Sequence, residues 1–373
     1  MIVRYLEKEI KAKLFKGKAI LLVGPRQTGK TTLLKNIFQN NPDVLWLNGD
    51  DPETRQLLLE VSLTKWQRIL GKAKILLIDE AQRIENIGIK LKLLTDQLPS
   101  IQVIASGSSA FELANKINEP LTGRKWEYHL YPISYDEMQQ HHGFLEEQKR
   151  LSDRLVYGYY PEIINHPNEE REYLNHLADS FLYKDILAWD RIKKPDKLVK
   201  LLQAIAYQVG SEVSYHELGQ IVDLDNQTVE NYITLLEQTY ILFRLSPLSR
   251  NLRKELKRKR KIYFYDNGIR NAIIAQFQPL ELRQDVGILW ENWLMAERMK
   301  VLEYKKIYAN TFFWRTRDQQ EIDYVEEREG RMWAYEFKWN PKSKTRFSKT
   351  FTQAYPEHEL KVINRENYMD WLS

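Results

Sequence analysis

The sequence predicts an α/β fold built on a largely parallel sheet, followed by a helical stretch, three helices with a two-stranded hairpin, and a second α/β region. Three observations carry this. Short β-branched or leucine-rich runs alternate with helical stretches through the first third of the chain. Apolar residues further on recur at helical spacing. The C-terminal part pairs one long helical segment with three runs of strand character.

The strands of the first region read as Ala19–Val23, Val44–Asn48, Ile75–Asp79, Gln102–Ser106 and Trp126–Tyr131. Residues 134–190 read as helical, broken at Gly158 and Pro161. The polar stretch Arg191–Asp196 opens a new unit. There Leu198, Leu201, Leu202 and Ile205 mark one buried helix face. Two helices follow near 214–221 and 226–238, the second capped by Asp225 or Asn226. Strand-like runs Tyr240–Leu245 and Lys261–Tyr265 flank a basic loop, completing a winged helix-turn-helix pattern. A helix near 286–300 precedes strands Thr311–Arg315, Glu321–Val325 and Arg331–Trp339. The expected domains are 1–133, 134–194 (a helical lid or linker), 195–262 and 263–373.

A chain of 373 residues accommodates two or three such domains, and 43% hydrophobic with 29% charged residues is ordinary for a globular protein. No apolar run approaches the length of a membrane span. The N-terminus mixes charge and apolar residues like an amphipathic helix and lacks the apolar core of a signal peptide. A cytoplasmic protein without a membrane partner is expected. The chain has no cysteine, which excludes disulfides, thiolate zinc sites and cysteine nucleophiles. Any metal must sit on oxygen or imidazole ligands, which suits Mg²⁺ or Mn²⁺. The net charge of +5 permits a nucleic-acid partner without demanding one.

Gly24-Pro25-Arg26-Gln27-Thr28-Gly29-Lys30-Thr31 matches G-x-x-x-x-G-K-[ST] between an apolar strand and a helical segment, with Thr32 following. Glycines let backbone N–H groups close around phosphates, and the helix points its positive end at them. Lys30 is expected to reach the β- and γ-phosphates and Thr31 to ligate Mg²⁺. Ile75–Ile78 form a buried strand delivering Asp79 to the Mg²⁺ shell and Glu80 to the attacking water. Together these predict binding and hydrolysis of ATP. Ser108, at the end of the next strand, is placed to contact the γ-phosphate or the water as a sensor, while Ser109 with Glu112 reads as a capping box. Arg124 reads either as an arginine finger reaching a neighbouring subunit or as a solvated loop arginine.

Two further constellations stand out. Arg250, Arg253, Lys254, Lys257, Arg258, Lys259, Arg260 and Lys261 face one acid, Glu255, across the hairpin loop. Such density attracts a polyanion, with duplex or branched DNA the expected partner. The acids Asp223, Asp225 and Glu230 argue against insertion of the preceding helix into a major groove and favour contact led by the wing. Near the C-terminus, Glu291 on a helix, Asp323 on a strand and Glu336-Phe337-Lys338 on the next strand can bind Mg²⁺ or Mn²⁺. Lys338 would orient or activate water for phosphodiester cleavage. The plainer alternative is a sheet whose charges pair across strands.

With these segments the chain resembles prokaryotic AAA-type P-loop ATPases that carry a C-terminal winged helix and a PD-(D/E)xK nuclease-like region. The likeness runs through Gly24–Thr32, Leu76–Gln82, Gly107-Ser108-Ser109, Gly123-Arg124, Tyr131–Glu137, Gly158–Glu162, Leu182–Ile186, Ile262–Asp266, Gly287–Asn292, Glu321–Asp323 and Glu336–Lys338. The resemblance implies a P-loop NTPase sheet of AAA/ASCE type and ring-like homo-oligomers with ATP at subunit interfaces. It departs from typical AAA+ patterns in carrying Gly-Ser-Ser where asparagine is usual. The function expected is a Mg²⁺-dependent ATPase coupled to DNA binding and remodelling, with metal-dependent nuclease activity as an addition. The alternative is a nucleotide-switched signalling or scaffold ATPase with an inactive nuclease-like module.

Overall fold

The computed structural model describes residues 2–108, 120–180, 192, 194–248, 259–316 and 318–372. The chain divides into two compact units, Met1–Ile133 with Gln238–Tyr240, and Ser134–Glu237 with Ile241–Ser373.

The first unit is built on five parallel strands, β1 (Ala19–Val23), β2 (Val44–Asn48), β3 (Ile75–Asp79), β4 (Gln102–Gly107) and β5 (Lys125–His129), in the order β2-β3-β4-β1-β5. β1, β3 and β4 are buried along their whole length, so their sequences read as unbroken apolar runs instead of alternating ones. Because β4 lies between β1 and β3, the residues following these three strands emerge side by side at one edge of the sheet. Helix Lys30–Ile37 starts there, directly after β1, with Gly29 at φ 90° as its N-cap. Gly24 is also required: a Cβ on it would lie 2.2 Å from the Leu130 carbonyl oxygen.

The second unit opens with short helices. Tyr135–His142 is closed by a capping box in which Ser134 and Glu137 satisfy each other's backbone N–H. Helices Pro195–Tyr207, Tyr215–Val222 and Asn226–Gln238 follow, and Asp225 caps the last, its carboxylate accepting from Thr228 N. Strands β6 (Glu212–Val213), β7 (Leu242–Pro247), β8 (Arg260–Phe264), β9 (Asn310–Arg315), β10 (Glu321–Arg328), β11 (Arg331–Phe337) and β12 (His358–Ile363) form one sheet in the order β12-β11-β10-β9-β7-β8-β6. The hairpin β7–β8 therefore continues edge to edge into the C-terminal strands through parallel pairing of β7 with β9, Ser246 opposite Phe312. Both faces near β11 are covered. Met332 and Ala334 pack with Trp314, Ile322, Val325 and Phe351 on one side, and Tyr335 and Phe337 lie against Tyr324 and Trp371 on the other.

A buried polar knot ties the early helices of this unit to its long helix Val286–Tyr304. Asp266 caps Asn267–Ile273 and also accepts from the Tyr159 N–H at 2.7 Å. Gly158, at φ 75°, leaves room for that carboxylate; a Cβ there would lie 2.0 Å from Asp266 Oδ1. The Asn267 amide donates to the carbonyls of Leu155 and Leu289, and Asn292 exchanges hydrogen bonds with the backbone of Phe264. This arrangement accounts physically for the Gly158–Glu162, Ile262–Asp266 and Gly287–Asn292 segments of the resemblance.

Candidate functional site

The loop Gly24–Gly29 carries its expected residues onto the N-terminus of helix Lys30–Ile37. Lys30 is buried, and its ammonium donates to the carbonyls of Gly24 at 2.9 Å and Pro25 at 2.7 Å. Thr28 Oγ1 also donates to Pro25 O, at 2.9 Å. The side-chain amine is thus folded over its own loop, where phosphate oxygens could take over the role of those carbonyls. Thr31 Oγ1 donates to Asp79 Oδ2 at 2.6 Å, and Ser106 Oγ donates to Asp79 Oδ1 at 2.5 Å. A hydroxyl and a fixed carboxylate touching at the helix N-terminus suit an oxygen-coordinated Mg²⁺.

Glu80 follows with φ 47°, a left-handed conformation costly for a residue with a Cβ. Its carboxylate accepts from Gln82 Nε2 at 2.6 Å and from Ser108 Oγ at 3.3 Å. Gln82 Nε2 also reaches Ser108 Oγ at 3.2 Å. Ser108 therefore steadies Glu80. The capping box expected at Ser109 and Glu112 lies outside the described residues. Arg124 precedes β5, at the end of the sheet remote from the Gly24–Thr31 loop, and its guanidinium pairs with Asp96 at 2.5 Å. Sequence reasoning did not pick out Arg4. It is buried, and its guanidinium donates to Thr28 O and to Tyr131 O, both at 2.7 Å. It fixes the loop from behind. No local pattern announces this, because its acceptors are backbone carbonyls 24 and 127 residues away.

Of the basic residues in the hairpin loop, Arg250, Arg253, Lys254, Lys257 and Arg258 lie outside the described residues. Lys259 is exposed and Arg260 begins β8. Lys261 closes the basic run in sequence, but in space its side chain is only 2% exposed and points away from any surface partner.

Lys261 enters the acidic cluster expected at the C-terminus. Its ammonium lies 2.6 Å from Glu321 Oε1, 3.5 Å from Glu291 Oε1 and 4.0 Å from Asp323 Oδ1. Lys338 lies 2.8 Å from Glu336 Oε2 and 3.7 Å from Asp323 Oδ2. The structure thus brings together Glu291, Asp323, Glu336 and Lys338, and adds Glu321 and Lys261. Asp323 occupies a register shift between β9 and β10, which turns its carboxylate onto the Phe337 N–H at 2.9 Å. Tyr263 donates to Glu291 Oε1 at 2.7 Å.

The electrostatics follow from burial. Burial, reinforced by the Asp323 charge, lifts Glu336 to about 7 against the pull of Lys338. Burial likewise raises Glu291 against the opposing Lys261 charge. For Lys261 burial alone would drive the pKa down, but Glu291, Asp323 and Glu321 outweigh it and hold the ammonium above its ordinary range. The expected divalent metal does not fit this arrangement. Among the described residues, no group of three or more His, Asp or Glu is placed to hold one. The physical reason is that a lysine ammonium already stands where three of the carboxylates converge.

Comparison with known proteins agrees with the first unit. Residues 16–139 match a family model described as AAA domain. Residues 148–280 and 286–370 match models described as Domain of unknown function (DUF8612) and Domain of unknown function (DUF4143). An uncharacterized protein of Mycobacterium tuberculosis is 26% identical over 87% of this chain and 71% of its own length. An uncharacterized protein of Haemophilus influenzae is 25% identical over 69% of each. The Walker-type ATPase of Pyrococcus abyssi shares the fold, with a TM-score of 0.52 and 14% identity over 74% of this chain and 96% of that one. The chain thus carries an AAA-type P-loop ATPase domain, which implies a nucleotide and typically Mg²⁺. Among the described residues no helix is long and apolar enough to cross a membrane.

Proposed function

We propose that the chain is a Mg²⁺-dependent ATPase that couples ATP binding and hydrolysis to DNA binding and remodelling. The observation carrying the reading is the convergence of Lys30, Thr31, Asp79 and Glu80 at one edge of a parallel sheet. Backbone N–H groups of residues 24–32 hold the phosphates, and Lys30 exchanges its two carbonyl acceptors for β- and γ-phosphate oxygens. Thr31 and Asp79 hold the Mg²⁺, which when bound neutralises phosphate charge. Glu80 orients the attacking water and accepts its proton, with Gln82 and Ser108 fixing the carboxylate. Arg124 reaches the γ-phosphate of a neighbouring subunit in a ring-like homo-oligomer once it leaves its half-exposed pairing with Asp96.

In this reading residues 195–262 act as a winged helix whose basic loop, with Lys259 and Arg260, follows DNA phosphates. Residues 263–373 act as a nuclease-like module that contributes surface and does not cut, because its acids are neutralised by lysines. The test is ATP turnover across single-stranded, duplex, forked and four-way DNA, with Lys30→Ala as control. Stimulation by one or more of these supports the coupling; indifference to all of them removes DNA from the account.

The burial of Lys261 among Glu291, Glu321 and Asp323 also favours a second reading, a nucleotide-switched signalling or scaffold ATPase with an inactive nuclease-like module. It predicts an oligomer size that changes with nucleotide and no DNA affinity at physiological salt.

A further inference from the structure

Helix Asn226–Gln238 closes with a backbone bond from the Ile241 N–H to the Leu236 carbonyl at 3.0 Å, the six-residue closure of a Schellman-type C-terminus. The residue that turns left-handed to make this bond is usually glycine; here it is Tyr240, at φ 59°. A residue with a large side chain is strained in that conformation and persists there only where its surroundings fix it. Those surroundings belong to the first unit, which includes Gln238–Tyr240 although Glu237 and Ile241 on either side belong to the second. The buried Tyr240 hydroxyl lies 2.7 Å from His129 Nδ1 at the end of β5, and its ring stands edge-on to Tyr131 with centroids 6.1 Å apart. The same stretch of chain borders the nucleotide loop. The Leu130 N–H donates to Val23 O at 2.8 Å, and Leu130 O is the atom that leaves no room for a Cβ on Gly24. One guanidinium, that of Arg4, holds both Thr28 O and Tyr131 O.

We infer that Tyr240 is a positioning residue through which nucleotide in the loop Gly24–Thr31 tightens the C-terminal end of helix Asn226–Gln238 and the start of β7. The inference rests on residues 24–32 holding the nucleotide, as in the proposed function, and not on DNA. Its direction follows from the peptide joining Thr28 to Gly29. When the N–H of that peptide donates to a phosphate oxygen, its carbonyl becomes a stronger acceptor, because hydrogen bonds in a chain polarise one another. The bond from Arg4 to Thr28 O then strengthens, and the Tyr131 carbonyl on the same guanidinium is fixed more firmly with it. A firmer segment 129–131 grips the Tyr240 ring, and the ring keeps its own backbone left-handed. With that grip loosened, the strained residue relaxes and the Ile241–Leu236 bond opens. The cap therefore has two states, and the nucleotide loop biases the choice between them. β7 begins at Leu242 and pairs with β8, so both the helix and the hairpin depend on which state the cap takes.

The test is amide hydrogen exchange on the full chain, with and without a non-hydrolysable ATP analogue and Mg²⁺, read over residues 232–247. Fluorescent-nucleotide titration of each protein establishes that the analogue is bound. In wild type the analogue is expected to slow exchange there by about 5-fold or more, the low end of ordinary allosteric coupling. Tyr240→Gly supplies a residue that takes the left-handed cap without strain but carries no ring. It should bind the analogue and form the cap, yet the slowing over 232–247 should vanish. A purely structural role as a helix cap would be fulfilled by glycine and would leave the slowing in place. Wild type whose exchange over 232–247 ignores bound analogue would overturn the inference, as would a Tyr240→Gly protein that keeps the wild-type response. If Tyr240→Gly does not fold, His129→Ala, at a side chain only 27% exposed, decides: a weakened response supports the inference and a wild-type response refutes it. Neither ATP turnover nor DNA enters these readouts. A wild type that binds no analogue would remove the nucleotide reading and this inference with it, whereas binding without a response removes this inference alone.

Discussion

Replacing Arg4 by alanine is expected to loosen the nucleotide loop although the residue lies outside the Gly24–Thr31 motif. Its guanidinium makes two 2.7 Å bonds, one to Thr28 O inside the loop and one to Tyr131 O beyond β5. Hydrogen bonds from a charged donor contribute about 1.5–3 kcal/mol each, so losing both costs about 3 kcal/mol at the low end. Two places can absorb that cost. If the loop alone relaxes, the fold is little changed and ATP affinity falls about 100-fold. If the whole first unit is destabilised, melting shifts down on the order of 10 °C. Arg4→Lys keeps the charge but loses the planar fork that reaches two carbonyls at once, and should fall between wild type and alanine. Fluorescent-nucleotide titration and differential scanning calorimetry on the same preparations separate the two. An Arg4→Ala protein with wild-type ATP affinity and wild-type melting would refute the assignment of Arg4 as the loop's anchor.

Four other outcomes follow. Glu80→Gln preserves an acceptor for Gln82 and Ser108 and should keep ATP binding while lowering turnover by about 10²–10⁴-fold, measured by phosphate release. Gly158→Ala places a Cβ 2.0 Å from Asp266 Oδ1 at φ 75°, and should cost more than about 3 kcal/mol in a denaturant melt or prevent folding. Arg298→Met leaves the fully buried Glu326, bonded to Arg298 at 2.7 and 3.0 Å, with Arg328 at 3.2 Å as its remaining cation; up to about 3 kcal/mol of stability should be lost, with Glu326→Gln in the same chain recovering part of it. Asp266 supplies a pH dependence: burial lifts its carboxyl above the ordinary 3.8, against the N–H donors of Tyr159, Ile269 and Gly268 and the Lys300 charge. The folded chain then holds the proton more tightly than the unfolded one, so this group's contribution to stability declines as pH rises above 3.8. Asp266→Asn should flatten that part of the stability–pH curve while lowering stability overall.

How far the sequence discloses this structure depends on whether the deciding contacts are local. β1, β2 and β3 fall on their expected residues: β1 and β3 are buried parallel strands, which declare themselves as short apolar runs between turn signals, and β2, though half-buried, carries the same apolar run. The nucleotide loop is equally plain, because its chemistry is packed into eight consecutive residues. β12 was not anticipated. His-Glu-Leu-Lys-Val-Ile is polar at alternate positions and pairs on one side only, with β11, so its strand character comes from its neighbour. The joining of β7 to β9 rests on pairing of residues 66 positions apart, Ser246 with Phe312, which no local pattern carries.

The acidic cluster is legible in part. Helical Glu291, Asp323 and the E-x-K run pointed to one another, and Glu321, two residues before Asp323 on the same strand, was available by the same alternation. Lys261 was concealed by its surroundings, since it ends a run of lysines and arginines that reads as a solvated wing. Only the turn of β8 into the core separates it from that run. The metal expected from the acids was thus displaced by a residue whose sequence context suggested the opposite role.

The central claim is that Lys30, Thr31, Asp79 and Glu80 form a working ATP-hydrolysis site. Phosphate release from ATP with Mg²⁺, measured beside nucleotide binding for wild type, Lys30→Ala and Glu80→Gln, tests it most directly. The account predicts turnover by wild type alone, with ATP still bound by Glu80→Gln and binding impaired in Lys30→Ala. Equal turnover by all three proteins, or none by wild type across the DNA panel, would contradict it.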